Sequence, residues 1–253
     1  MATITQAVLI TGATSGIGLA TAKYYLTQGY HVIACGRNQQ ALDELSGCYG
    51  LVFDVTKVDE IKQASVTLQQ YLQRHQLPLT QVILNAGSCE YIDDVIQFDA
   101  DLFARVINTN LISIGYCIEA FLPLMAANSQ LGLMSSSATY LPFPRAQAYG
   151  ASKAGLSYLG RSLRVDLASN SARTSGIGVS VICPGFVKTP LTDKNDFAMP
   201  MRITSEQAAI RIFNGMASRK FEIHFPRRFT WLLKLVSLLP EKWLVSMLKN
   251  SNK

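Results

Sequence analysis

The stretch Ala7-Val8-Leu9-Ile10-Thr11-Gly12-Ala13-Thr14-Ser15-Gly16-Ile17-Gly18 decides the fold. Its first five residues are an apolar run of strand length, and residues 18–28 then take up helical spacing. The glycines therefore sit in a strand-to-helix turn, where Gly12, Gly16 and Gly18 permit a tight bend and the close approach of a pyrophosphate. Thr14, Ser15 and Ile17 belong to the same cradle, whose backbone N–H groups at the helix start would face that anion. A glycine-rich turn alone is a weak signal. This one gains weight from its position at the first crossover, followed by a second strand-length run at residues 31–35.

Outward from this turn, strand-length runs at residues 51–53, 81–85, 131–135, 178–183 and 221–225 alternate with helical spacing at 39–45, 58–74, 102–127 and 148–169. Repeated strand–helix–strand units require right-handed crossovers, and so a parallel sheet covered on both faces. The expected fold is α/β and doubly wound, with about seven parallel strands and helices on both faces. No Pro/Ser-rich linker, low-complexity stretch or fixed-period repeat divides the 253 residues, so 1–253 read as one dinucleotide-binding domain.

Hydrophobic residues make up 49% of the chain and charged residues 16%, a balance too apolar for disorder and too interrupted for a bundle of membrane spans. The net charge of +6 is unevenly spread: residues 219–253 hold eight of the 23 Lys and Arg and two of the 17 acids, which leaves fifteen of each sign before them. A neutral body with a basic, apolar tail argues against a nucleic-acid partner. Cys35, Cys48, Cys89, Cys117 and Cys183 are odd in number and form no CxxC pair, which reads as reduced thiols in a cytoplasmic setting. His31, His75 and His224 lack metal-ligand spacing, so no metal is expected. The start MATITQ has no charged leader, long apolar run or cleavage site, and the chain is expected to begin as translated.

An acidic side chain at the end of the second strand would accept hydrogen bonds from an adenosine ribose and repel a 2′-phosphate. Cys35-Gly36-Arg37 stands there instead, and a guanidinium grips a phosphate through two N–H groups. This favours NADP(H) over NAD(H), the plain alternative being that Arg37 is a solvated loop charge.

Tyr149 and Lys153 are four residues apart in a helical segment, so both project from one face towards the same bound molecule. A neighbouring ammonium and a positively charged nicotinamide both favour the phenolate, and are expected to lower the tyrosine from its usual value of about 10. Tyr149 would then exchange a proton near neutral pH. Such a pair is common on ordinary helices and carries weight only in company.

The strings TGATSGIG (11–18), NAG (85–87), YGASK (149–153) and PGFVKT (184–189), in this order and spacing, resemble the short-chain dehydrogenase/reductase family over residues 5–190. The resemblance implies a Rossmann fold and a catalytic tetrad. Ser136, thirteen residues before Tyr149, stands where the family's catalytic serine does, and Asn110 takes the place of its asparagine. By that likeness Ser136 would hold the substrate carbonyl, Tyr149 would exchange the proton, Lys153 would bind the nicotinamide ribose and Asn110 would hold a water leading protons to Lys153. The likeness also implies adenine contacts at Asp54 and Val55, a cofactor lining at Asn85, Ala86 and Gly87, and contacts to the nicotinamide and its phosphate at Pro184, Gly185, Val187 and Thr189. Two positions depart from the pattern: Ser15 stands where many NADP-preferring members carry a base, and Ser113 where glycine is frequent. Ser135 and Ser137 flank Ser136, whose assignment rests on spacing.

Residues 188–218 are expected to form a lid over the substrate. Leu191, Phe197, Met199 and Met201, with Tyr140 and Phe143, point to a partly apolar pocket for a small-molecule ketone, aldehyde or secondary alcohol. The basic, apolar segment 226–253 has no continuous apolar stretch long enough to cross a bilayer. It either packs on the protein or a partner subunit, or rests as a peripheral contact on an anionic membrane. By the resemblance, helices 102–127 and 148–169 would pair in a homodimer or homotetramer. The expected activity is hydride transfer between NADP(H) and a carbonyl or alcohol. The alternatives are a regulatory protein that binds NADP without chemistry, which the intact tetrad argues against, and an epimerase or dehydratase using the same Tyr/Lys pair, whose relatives have another glycine spacing.

Overall fold

The computed structural model describes residues 6–169, 176–195 and 197–249; the first five residues and the last four of the C-terminal segment lie outside them. Seven strands, β1 (Ala7–Thr11), β2 (His31–Gly36), β3 (Cys48–Val52), β4 (Leu79–Leu84), β5 (Met125–Met134), β6 (Gly178–Pro184) and β7 (Glu222–Phe225), form one sheet. Every pairing is parallel and the order is β3-β2-β1-β4-β5-β6-β7. This is the doubly wound α/β fold that the alternating pattern predicts. β1 reads as an unbroken apolar run because it is central and covered on both sides, with all five residues buried.

Successive residues of β1 face opposite layers. Ala7 and Leu9 join a core with Leu68 of α3 (Val58–His75), Phe121 of α5 (Ser113–Phe121) and Leu156 of α6 (Gln147–Ser169). Val8 and Ile10 join the opposite core, with Tyr25 of α1 (Gly16–Thr27), Leu42 of α2 (Gln39–Asp43) and Ile212 of Ser205–Ala217.

Two stretches differ from the sequence expectation. The helix expected over 102–127 is three pieces: α4 (Ala100–Ile107), capped by the Asp99 side chain on Leu102 N–H at 2.8 Å, a π-helical turn at Asn108–Ile112, and α5. It stops at Phe121 because Pro123 has no N–H to continue the ladder, and a 3-10 turn at Leu122–Leu124 leads into β5. β5 then bulges, with Asn128 left-handed at φ 58°, before its register resumes at Gln130 opposite Gln81.

Within the expected lid of 188–218, Ser205–Ala217 is a helix, α7, that belongs to the body. Thr204 caps it in a reciprocal box with Gln207, and Ala208, Ile212 and Met216 are buried in the core shared with α1. The stretch left without strand or long helix is residues 188–204, of which Asp196 lies outside the described residues. The C-terminal segment forms α8 (Arg227–Val236) and α9 (Glu241–Leu248), separated at Pro240. Phe229, Leu233 and Leu244 bury their inner face against Leu141, with Tyr140, Phe143 and Phe186 packed alongside.

Candidate active site

The sheet order reverses between β1 and β4, and a cleft of about 490 Å³ opens at the carboxyl ends of the strands there. Its floor is the glycine turn. Gly12 has φ +66°, and a Cβ at Gly18 would stand 2.1 Å from the Gly12 carbonyl oxygen, so α1 is backed directly onto the turn. Thr11 Oγ1 accepts from the N–H groups of Asn85 (2.9 Å) and Ala86 (3.0 Å), while Asn85 Nδ2 donates to Thr11 O (2.9 Å). These bonds tie the end of β4 to the end of β1. Gly12, Thr14, Ser15, Gly16, Ile17 and Gly18 all line the cleft, and the Ser15 side chain makes no capping bond to the helix it precedes. Ser88 also lines it, its buried Oγ without a hydrogen-bond partner among the described residues. An uncapped helix start, glycines at closest approach and an orphaned hydroxyl fit a bound dinucleotide.

Arg37, Asp54 and Val55 line the outer end of the same cleft. Arg37 leaves 77% of its side chain exposed, and its Nη1 stands 3.6 Å from Asp54 Oδ2. Burial raises the Asp54 carboxyl, but hydrogen bonds from Thr56 N–H and Oγ1, both 2.8 Å, and the nearby guanidinium outweigh it and hold the group below its usual value.

At the inner end, α6 presents Tyr149 and Lys153 to the cleft together with Ser136. Ser136 accepts from Ala138 N–H (3.1 Å) and hydrogen-bonds the Tyr149 phenol. Its neighbour Ser135 turns away, donating to Lys153 O (2.9 Å) and pairing with Ser157 Oγ (2.7 Å), which anchors α6 against β5. Ser137 is buried in the short 3-10 turn that follows. Lys153 Nζ donates to Met134 O at 2.8 Å, and a Cβ added at Gly87 would come within 3.3 Å of it.

The proton chemistry differs from the expectation. Lys153 Nζ lies 5.7 Å from the centre of the Tyr149 ring. Burial raises the phenol above its usual value, Cys89 and Cys183 add to this, and the hydrogen bond from Ser136 pulls it back in part; the ammonium does not lower it. Burial lowers Lys153 to about 8. In the protein alone Tyr149 is therefore a phenol, ready to donate.

Asn110 lies in the π-helical turn and is buried. Its Oδ1 accepts from Ser88 N–H (2.8 Å), and its Nδ2 donates to Ser88 O (2.8 Å) and Ser152 Oγ (3.0 Å). Ser152 in turn donates to Tyr149 O at 2.7 Å. The side chain therefore clamps the loop after β4 to the helix that carries Tyr149, and stands behind the cleft wall rather than in it. Ser113 fills its unusual position by donating to Thr109 O at 2.7 Å.

Asn85, Ala86, Gly87, Pro184, Gly185, Val187 and Thr189 line the cleft as well. Sequence reading missed Ser88, Ser152 and Tyr91. Tyr91 donates to Asn195 at 3.0 Å and meets the Phe197 ring edge-on, and Phe197 in turn lies against Phe186. Leu191 joins the cleft lining, but Tyr140 does not: its hydroxyl donates to Glu222 at 2.7 Å on the side of the C-terminal helices, and Phe143 packs there with it. Nothing in the sequence near Tyr91 marks it, since its partner lies 104 residues away.

Fold and cleft together define a dinucleotide-dependent α/β oxidoreductase. The model of the short-chain dehydrogenases matches residues 6–199. An uncharacterised oxidoreductase of Myxococcus xanthus is 31% identical over 239 residues, with 92% of each chain covered. A 3beta-hydroxysteroid dehydrogenase of Mediterraneibacter gnavus is 32% identical over 228 residues, covering 85% of this chain and 79% of that one. Among solved structures, a short-chain dehydrogenase/reductase of Burkholderia phymatum in complex with NAD superposes with a TM-score of 0.79 at 20% identity, over 91% of this chain and 92% of that one. The chain belongs to the short-chain dehydrogenase/reductase family, and is an oxidoreductase that acts on hydroxyl or carbonyl groups with a nicotinamide cofactor.

Proposed function

We propose that the chain is an NADP(H)-dependent oxidoreductase of the cytoplasm that acts on a partly apolar ketone, aldehyde or secondary alcohol. The observation that carries this reading is the alignment of Ser136, Tyr149 and Lys153 at the inner end of the glycine-turned cleft. A bound nicotinamide would supply the hydride for reduction or accept it in oxidation. Ser136 hydrogen-bonds the substrate oxygen, and the Tyr149 hydroxyl gives that oxygen its proton in carbonyl reduction and takes the proton back in alcohol oxidation. Lys153 holds the ribose and carries positive charge below about pH 8. Asn110 acts as a positioning residue through Ser88 and Ser152.

Arg37 supports the NADP(H) preference: it is largely exposed, with a loose contact to Asp54, and β2 ends in Gly36 rather than in an acid. Arg37→Ala is expected to raise the KM for NADPH about tenfold or more, on the scale of one charge-assisted hydrogen bond, and to leave that for NADH nearly unchanged. Steady-state kinetics with both cofactors check this, and equal use of both by the unmodified enzyme contradicts it.

Tyr91, Phe186, Leu191 and Phe197 support an apolar substrate side, and residues 188–204 form the lid in this reading. The Mediterraneibacter gnavus relative, named for a 3beta-hydroxysteroid, supports the same class of alcohol. A panel of ketones and aldehydes followed by NADPH absorbance tests it; turnover of small polar substrates alone overturns it. Exposed Ile112, Tyr116, Tyr158 and Val165 on the α5–α6 side support a homo-oligomer paired there. A sensor without chemistry, or an epimerase or dehydratase, is not favoured, because the catalytic groups converge and the relatives are oxidoreductases by name.

A further inference from the structure

Helices α8 and α9 have two apolar faces. The inner one, through Phe229, Leu233 and Leu244, is already buried on the protein. The outer one is largely bare: Trp231, whose ring meets His224 edge-on, Leu235, Leu238 and Trp243 are 54%, 62%, 80% and 66% exposed. On α8 and the turn after it, positions 231, 235 and 238 follow the three- and four-residue spacing of a single helical stripe. Arg227, Arg228, Lys242 and Lys249 are exposed in the same segment, against the single exposed acid Glu241. Lys234 is turned inward, paired with Glu222.

We propose that this outer face docks on an anionic phospholipid bilayer. Tryptophan and leucine enter the boundary between headgroups and acyl chains, while arginine and lysine meet the phosphates. The four exposed basic residues of this face, Arg227, Arg228, Lys242 and Lys249, against Glu241 alone, match the negative charge of such a surface. A second copy paired through the same face would bring two surfaces of the same charge together. Docking rests on this surface alone and is independent of the cofactor and substrate reading. Its consequence for the enzyme is geometric: Phe229 on the inner face of α8 lies directly behind Gly185 of the cleft lining, where an added Cβ would stand 2.8 Å from its ring, so one side of the cleft backs onto the helix that meets lipid.

Trp231 and Trp243 are the two tryptophans of the chain, so intrinsic fluorescence reports on this face directly. The full chain is titrated with phosphatidylglycerol/phosphatidylcholine vesicles and with pure phosphatidylcholine vesicles, following tryptophan emission and co-sedimentation. The expected result is a blue shift and pelleting with the anionic vesicles, weakened by added salt. A variant carrying Leu235→Glu and Leu238→Glu should lose both responses while keeping the thermal unfolding midpoint of the unmodified chain. Emission and pelleting unmoved by anionic vesicles overturn the proposal. So does a shift that tracks protein concentration without lipid and disappears in the variant, which assigns the face to a second copy.

Discussion

The phenol and the ammonium of the cleft are both moved by burial, in opposite directions of charge: Tyr149 is held as the neutral acid, and Lys153 is brought to about 8. Each shift disfavours the ionised form. A lysine with a lowered value carries its charge below that value and loses it above. Carbonyl reduction in the proposed reading needs the phenolic proton and the ammonium together, and kcat/KM reports ionisations of the free enzyme. We therefore expect kcat/KM for reduction to fall as pH rises through about 8. Lys153→Arg keeps its charge throughout, so in whatever activity remains the limb should move to higher pH. A pH–rate profile checks this, and an unmoved limb contradicts it. The Tyr/Lys pair was legible in the sequence because a four-residue spacing on a helix determines a shared face. Its electrostatics were not, because the depth of burial and the 5.7 Å offset between ammonium and ring depend on how α6 lies on β5.

The elements that hold the site were legible wherever local pattern and tertiary demand agree. β1 is an apolar run because it lies inside the sheet, as is β6 apart from the buried Ser180, and the glycine turn is marked by residues that only that geometry requires. Legibility failed where one residue or a distant contact decides. Pro123 stops a helix whose apolar spacing continues past it, the π-helical turn at Asn110 leaves no compositional trace, and α7 falls inside the expected lid although Thr204 and Gln207 spell its cap. The turn itself offers a test. A methyl group at Gly18 would meet the Gly12 carbonyl at 2.1 Å, so α1 must shift off the turn. Gly18→Ala should destabilise the protein by about 1–3 kcal/mol, the scale of core overpacking, and weaken cofactor binding together with it. Thermal unfolding and a cofactor titration check both, and wild-type values for the two would mean that the helix does not back onto the turn as described.

At the scale of the molecule, the parallel sheet collects parts that are far apart in the chain. The glycine turn after β1, the NAG loop after β4, Ser136 after β5 and the segment after β6 all arrive at one edge because every strand points the same way. Helix α6 then lays Tyr149 and Lys153 across that edge, and Phe229 of α8 packs behind Gly185 of the cleft lining. In the proposed reading this assembly brings one proton donor to a carbonyl beside the nicotinamide. The most direct measurement is carbonyl-dependent NADPH oxidation by Tyr149→Phe, which removes the hydroxyl and keeps the ring. We predict a folded protein that binds NADPH as the unmodified chain does and loses about 10²- to 10⁴-fold in turnover. A Tyr149→Phe variant that reduces the same substrate at the unmodified rate would contradict the account.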